Sequence, residues 1–234
     1  MQIAVGFDFD HTLGIDNKLE RTVAMELGAA LAAKHGVPFE AAAASAKLDE
    51  EIALVRRGET PVETAIEGWL QAFAGGGNEN VLEAGRFRET VTARAPGFVR
   101  ALPGAREMLA ALDALGVRYA ILSNGWSPLQ EEKARLIDFA APVFVSERIG
   151  AWKPAPNAFA SLVRLFDVPP ADVWYVGDDP LTDCAGARDA GLTAVWFDWE
   201  GRAYPDGAAP PHHTIHSLEE LPGLLQGRVG GAAN

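Results

Sequence analysis

The chain has 234 residues, 48% of them hydrophobic, enough for one substantial core with room for an insertion. A formal charge of −12 argues against nucleic-acid binding and against docking on anionic membranes. It leaves an anionic substrate open, because a divalent cation inverts the field locally. No apolar run approaches the ~20 residues of a membrane span, no basic leader precedes the first apolar run, and the lone Cys184 excludes an internal disulfide. The expectation is a cytoplasmic protein, a monomer or small homo-oligomer.

Ile3 to Val5 are too apolar for exposure and too few for a helix, so they read as a buried strand leading into Phe7-Asp8-Phe9-Asp10-His11-Thr12-Leu13. Residues i and i+2 leave a strand on one side, so Asp8 and Asp10 project together near its end. Taken alone, this stretch also fits solvated loop acids or helix caps. Helical spacing then takes over for about eighty residues. Val23, Leu27 and Leu31 share a face, and Gly36 stops the first helix. A second runs from near Pro38 to before Gly58. A third opens on the capping sequence Thr60-Pro61-Val62-Glu63 and ends at Gly75-Gly76-Gly77. A fourth, roughly Glu79 to Arg94, is expected to stop before Pro96. These four read as a small antiparallel bundle inserted after the first strand.

Strands then alternate with helices. Val117–Leu122 leads to Ser123-Asn124-Gly125, and Ser127-Pro128-Leu129-Gln130 reads as a second capping box. Pro142–Val145, Val173–Val176 and Thr193–Phe197 are further strands, Asp179-Pro180 opens a helix that Gly191 ends, and Ser217–Leu225 is the last helix. The fold class is therefore α/β: a doubly wound parallel sheet of five or more strands with an inserted α-helical domain. Residues 1–15 and 96–234 form the core and 16–95 the insertion. In such sheets ligands lie beyond the strand C-termini, where strand order reverses. Asp8 and Asp10, Ser123, Lys153 and Asp178 each follow a strand in this way.

Brought together, Asp8, Asp178, Asp179 and Asp183 would offer an oxygen-rich seat for a hard cation, most naturally Mg2+. Lys153 would add fixed positive charge, and Ser123 a hydroxyl beside free backbone N–H groups. This set suits a phosphoryl group, whose transfer depends on positioning and charge stabilisation.

The chain resembles the haloacid dehalogenase superfamily, in its phosphohydrolase branch with a helical C1-type cap and a Rossmann-like core. Four segments carry the resemblance in order: Asp8-Phe9-Asp10-His11-Thr12, Ser123 in Leu122-Ser123-Asn124-Gly125, Lys153 before Pro154, and Gly177-Asp178 with Asp183. The family often has glycine or aspartate where His11 stands. The resemblance covers roughly residues 3–225 and implies a Mg2+-dependent phosphatase acting on a small phosphorylated metabolite. It makes Asp8 the nucleophile and Asp10 the acid and base, with the Asp10 main-chain carbonyl, Asp8 and Asp178 on the metal. It has Ser123, the Asn124 N–H and Lys153 hold the phosphoryl oxygens, and Asp183 orient Lys153 or metal-bound water. Asp179 either joins the metal shell or caps a helix. A phosphomutase or 2-haloacid dehalogenase on the same fold, and a phospho-accepting receiver-like signalling domain, are the alternatives; halide departure needs no acid, so Asp10 favours the phosphatase.

Other conspicuous residues read as structural. His212, His213 and His216 lie in a proline-rich approach to the last helix, Cys184 is a small core residue, and Trp69 belongs to a helix core. Thr12 closes a turn or touches the site, while His11 reaches substrate or packs in its loop. Trp126 and Trp152 pack in the core or wall the pocket. Lys18, Arg21, Arg56, Arg57 and Arg88 are read as mostly solvated, with one of them available to a second anionic group of the substrate.

Overall fold

A computed structural model describes residues 2–229. Its main sheet holds six strands, all parallel, in the order β5-β4-β1-β6-β7-β8. These are β1 (Ala4–Phe7), β4 (Arg118–Ser123), β5 (Val143–Val145), β6 (Val173–Gly177), β7 (Thr193–Phe197) and β8 (His213–Ile215). Two-residue strands β2 (Gly14–Ile15) and β3 (Arg100–Ala101) pair antiparallel. Between them lie α1 (Leu19–His35), α2 (Ala41–Arg56), α3 (Val62–Phe73) and α4 (Asn78–Phe98). The remaining helices are α5 (Ala105–Ala114), α6 (Leu129–Leu136), α7 (Ser146–Ile149), α8 (Pro156–Phe166), α9 (Gly186–Asp189) and α10 (Glu220–Val229).

Period-two alternation divides the sheet's apolar residues between two cores. Val5, Phe7, Ile121, Trp174 and Val176 join one cluster, and Ala4, Ala120, Leu122, Val173 and Tyr175 the other. Both faces are dry, which is why the strands read as continuous apolar runs. The first cluster continues without a break into α1–α4 through Leu19, Val23, Leu48, Ile66 and Trp69. Trp69 is 1% exposed, and its Nε1–H donates to Ala44 O at 2.7 Å. A filled aromatic site of this size is worth roughly 3–5 kcal/mol against alanine.

Several local expectations change. Helix α4 runs through Pro96 to Phe98. Proline removes one N–H in the last turn, but Val99 N–H donates to Ala95 O at 2.9 Å, restoring the ladder past the ring, and Ala95 is fully buried. Neither predicted capping box forms: α3 begins at Val62 and α6 at Leu129, each without a side-chain cap. Gln130 instead turns towards Asp10. The three-residue β8 is a sixth strand, where only an approach to the last helix was expected, and that helix starts at Glu220. The His213 ring stacks on Trp174 at 4.7 Å, His212 Nδ1 accepts from Ala194 N–H at 2.9 Å, and His216 Nδ1 bonds Asp198 O at 2.8 Å. The histidines serve the sheet edge.

The chain order sets the ligand position. From central β1 the path goes outward to β4 and β5, then returns to β6, β7 and β8 on the other side. Order reverses at β1, so the C-terminal ends of β1, β4 and β6 open on one crevice.

Candidate active site

Asp8, Ser123, Asn124 and Asp178 sit at or just past a strand end, Asp10 two residues further on, Lys153 in the loop beyond α7, and Asp183 in the helical turn that follows β6. Asp8 N–H still pairs with Val176 O at 2.9 Å, which carries Asp8 one step beyond β1. Ser123 ends β4 and Asp178 follows Gly177 of β6. One cleft of ≈ 320 Å³ is lined by Asp8, Asp10, Ser123, Asn124, Lys153, Asp178, Asp179 and Asp183 together. Arg56 and Arg57, at the end of α2, close it from the helical side.

Lys153 is the centre of the first wall. Its buried Nζ donates to Asp8 Oδ1 at 2.7 Å, Asp183 Oδ1 at 2.8 Å and Tyr175 Oη at 2.8 Å. All three ammonium protons are thus placed, and Tyr175 O–H donates to Leu122 O at 2.7 Å. Burial works against the charge on Lys153, but Asp183 and Asp8 override it and hold the ammonium well above its usual range. Asn124 fixes the Lys153 backbone from both sides: its Nδ2 donates to Lys153 O at 2.8 Å, and its Oδ1 accepts from Lys153 N–H at 2.9 Å. Gly177 lets Asp183 come this close, since a Cβ there would stand 2.3 Å from Asp183 Oδ2.

The cleft is short of positive charge. Asp8, Asp178 and Asp183 bring oxygens within 4.8 Å of one another. Burial and the Asp8 charge push the Asp178 carboxyl up to about 7, against the pull of Arg202. Burial likewise outweighs Lys153 and raises Asp183 to about 7. The buried Lys153 ammonium serves Asp8 and Asp183, and the partly exposed Arg202 reaches Asp178. That leaves three clustered carboxylates against two cations in direct contact, and an all-oxygen donor set of this charge fits a hard divalent cation. Asp183 also accepts from Asp179 N–H at 3.1 Å through Oδ2, so both its oxygens already have protein donors.

Asp10 belongs to a second wall. Lys133 Nζ donates to its Oδ1 and Oδ2 at 3.0 and 3.3 Å, and Gln130 Nε2 to Oδ2 at 3.3 Å. The same ammonium reaches Asp16 Oδ2 at 2.6 Å. Burial raises the Asp10 carboxyl, but the nearby Lys133 and Arg56 charges and the two donors outweigh it and hold Asp10 below the usual carboxylate range. Asp8 and Asp10 thus share the cleft while leaning on different lysines.

Asp179 does what a cap does. Its Oδ1 accepts from the N–H groups of Leu181 (2.9 Å) and Thr182 (2.6 Å), opening a π-helical turn, Pro180–Ala185, before α9. Thr12 N–H closes a turn onto Phe9 O at 3.2 Å. His11 holds φ 62°, a left-handed conformation that costs a side-chain-bearing residue roughly 1–2 kcal/mol and that glycine adopts freely. Its ring stacks with Trp199 at 6.5 Å, and Trp199 is 40% exposed. Both line a second cavity of ≈ 490 Å³ that shares His11 and Arg56 with the cleft. Trp126 is buried, and its Nε1–H donates to Glu20 at 2.8 Å. Arg88 is no solvated residue: it donates to Glu63 (2.6 Å), Glu147 (2.8 Å) and Ser127 O (2.6 Å) and lies 5.0 Å over Trp126, clamping α3 and α4 to the core. Cys184 is buried, as expected.

Sequence reasoning missed Lys133, Gln130, Asp16, Tyr175 and Arg202. Arg202 donates to Asp178 O at 2.8 Å and to its Oδ2 at 3.3 Å. Gln130 and Lys133 carried a usable signal, being polar residues at i and i+3 on the helix face that also buries Leu129 and Ala134.

A family model described as haloacid dehalogenase-like hydrolase matches residues 4–191. The phosphoserine phosphatase of Thermus thermophilus is 34% identical over 179 residues, covering 72% of each chain. The glyceraldehyde 3-phosphate phosphatase of Pyrococcus abyssi is 31% identical over 132 residues, so this chain spans about half of it, 55%. Among solved structures, the 2-haloacid dehalogenase of Pseudomonas syringae pv. Tomato DC3000 superposes with a TM-score of 0.73 at 27% identity, covering 97% of this chain and 100% of that one.

Proposed function

Since the chain belongs to the haloacid dehalogenase-like hydrolases, we propose that it is a Mg2+-dependent phosphatase that cleaves a small-metabolite phosphomonoester through a phospho-aspartate at Asp8. The observation that carries this reading is the single cleft in which Asp8, anchored by Lys153 at 2.7 Å, and Asp10, anchored by Lys133 at 3.0 Å, face one space. The curated relatives above bear phosphatase names for small phosphorylated metabolites, which supports the substrate class.

Against the effect of burial, Lys133 and Arg56 hold Asp10 ionised in the free protein; a bound ester's negative charge offsets them, so Asp10 enters the reaction carrying a proton. The Asp8 carboxylate attacks phosphorus, the P–O ester bond breaks, and Asp10 gives that proton to the departing alkoxide oxygen. Asp10, now a carboxylate, takes a proton from water as that water attacks the phosphorus of phospho-Asp8. Inorganic phosphate leaves and the Asp8 carboxylate is restored. Ser123 and the Asn124 N–H hold the phosphoryl oxygens in line, and Lys153 binds them through its charge, turning one N–H from Asp8 to the phosphoryl group as Asp8 attacks. Asp8, Asp178 and the Asp10 main-chain carbonyl would hold Mg2+, which supplies charge neutralisation at the phosphoryl group. Asp183 orients Lys153, and Asp179 serves as a cap.

Residues 16–95, extended to the end of α4 at Phe98, act as a helical cap over the core; residues 1 and 230–234 of the expected core lie outside the described residues. The 490 Å³ cavity under α1 and α2 takes the leaving group, with Arg56 at its junction with the cleft. No described helix is long and apolar enough to cross a membrane. A single buried cysteine suits a cytoplasmic enzyme.

The dehalogenase likeness gives the second reading. A halide leaves as a stable anion and has no use for a positioned carboxyl such as Asp10. Phosphate release from a metabolite panel, with and without Mg2+, and chloride release from 2-chloropropionate separate the two. Asp8→Asn is expected to bring turnover of p-nitrophenyl phosphate down to background; undiminished turnover would refute the nucleophile.

A further inference from the structure

We propose that Lys133 is the positioning residue for Asp10: it sets the carboxyl for proton exchange with the ester oxygen and ties that setting to Asp16, where the chain leaves the sheet for α1. The proposal deepens the phosphatase reading and rests on it.

Lys133 is 0% exposed, and its side chain is absent from the lining of both cavities, so it meets no substrate. Its ammonium instead lies behind the wall between them. Asp10 lines the cleft, Asp16 lines the neighbouring cavity, and Lys133 bonds both. Contacts at 3.0 and 3.3 Å to the two Asp10 oxygens fix the plane of the carboxyl as well as its position. Gln130 adds a second constraint. Its Nε2 donates to Asp10 Oδ2 and to Asn124 O, both at 3.3 Å, while its Oε1 is buried without a hydrogen-bond partner. An orphaned buried carbonyl costs roughly 1–3 kcal/mol, and turning the amide over would set oxygen against a carboxylate. The amide is therefore held for Asp10 at a cost.

Asp16 accepts at 2.6 Å from Lys133 Nζ, and the next residue, Asn17, donates to Phe98 O at 2.6 Å, joining the two strands of chain that lead into and out of the helices. Any shift of α1–α4 about these connections passes through Asp16 to Lys133 and so to the oxygens of Asp10.

The test is a graded leaving-group series on the full chain with Mg2+: phenyl, 4-nitrophenyl and 2,4-dinitrophenyl phosphate. The phenoxide released by the first needs a proton most, that by the last least, while the shape bound stays similar. kcat/KM reports the steps up to departure of the phenol. For Lys133→Met the expected loss is about 100-fold for phenyl phosphate and only a few-fold for the dinitrophenyl ester, on the scale of a general acid. Lys133→Arg should restore most of the difference, and Asp16→Asn should show the same gradient in smaller degree. Should Lys133→Met not fold, Asp16→Asn carries the gradient, with Lys133→Arg as the near-wild-type control. Equal losses along the series, or none, overturn the proposal. Wild-type protein inert to all three esters overturns the phosphatase reading and this inference with it.

Discussion

Two buried lysines stand at opposite walls of the cleft, each between two aspartates, and they got there by different routes. Lys153 arrives from the loop after β5 and α7 and meets Asp8 and Asp183, which follow β1 and β6. Lys133 rises from the middle of α6 and meets Asp10 in the first loop and Asp16 at the root of the helical segment. The first centre is assembled from strand ends, which the parallel sheet aligns regardless of what surrounds them. The second depends on how a helix face and a connecting segment pack. Similar ion chemistry is thus fixed by topology on one side and by tertiary packing on the other.

The sharpest way to break this contrast is Lys153→Met beside Lys133→Met. Each leaves two acids without their cation, a change worth roughly 3–5 kcal/mol in a buried pair, measurable by denaturant unfolding. Lys153→Met should also reduce kcat/KM toward background for all three aryl esters alike, because it removes charge from the phosphoryl group itself. A leaving-group gradient in that variant would erase the distinction between the walls.

A milder probe is pH and metal. The Asp178 carboxyl, pushed up to about 7 in the folded protein, binds a proton that the unfolded chain, near 3.8, has already released. Stability of the metal-free protein should therefore fall as pH rises from about 4 through 7. Mg2+ should raise Tm most at the alkaline end, and its apparent affinity should weaken up to about tenfold per unit as pH drops below 7. Mg2+ affinity independent of pH across this window would remove Asp178 from the metal. On the other wall, Asp10 is held low and should contribute nothing to that window.

The smallest expected effect is Asp179→Ala. Losing the carboxylate that accepts from the two N–H groups of the π-helical turn should cost about 1 kcal/mol and leave Mg2+ affinity in place. A tenfold weaker affinity in calorimetry would make Asp179 a ligand.

What the sequence made legible follows the same division. Strand ends are visible because buried parallel strands are apolar runs with polar residues just past them, so Asp8, Ser123 and Asp178 could be placed before any coordinates. Lys133 could at most be flagged as a polar residue on an apolar helix face; its pairing with Asp16 was out of reach, because 117 positions separate them and only the packing of α6 joins them. Strand β8 escaped notice because three residues beside two prolines carry no periodicity; its pairing to β7 makes it a strand. Pro96 misled in the opposite sense, since a rule about hydrogen bonds met a helix end already held by burial of Ala95.

Trp199 has a practical use. It is the most exposed of the six tryptophans, standing beside the His11 ring over the cavity proposed for the leaving group, while Trp69, Trp126, Trp174 and Trp196 are buried and Trp152 is partly buried. A molecule settling into that cavity changes the polarity around an indole still wetted by solvent, so the emission colour of the unlabelled protein becomes an optical gauge of occupancy, readable even in the Asp8→Asn variant that turns nothing over.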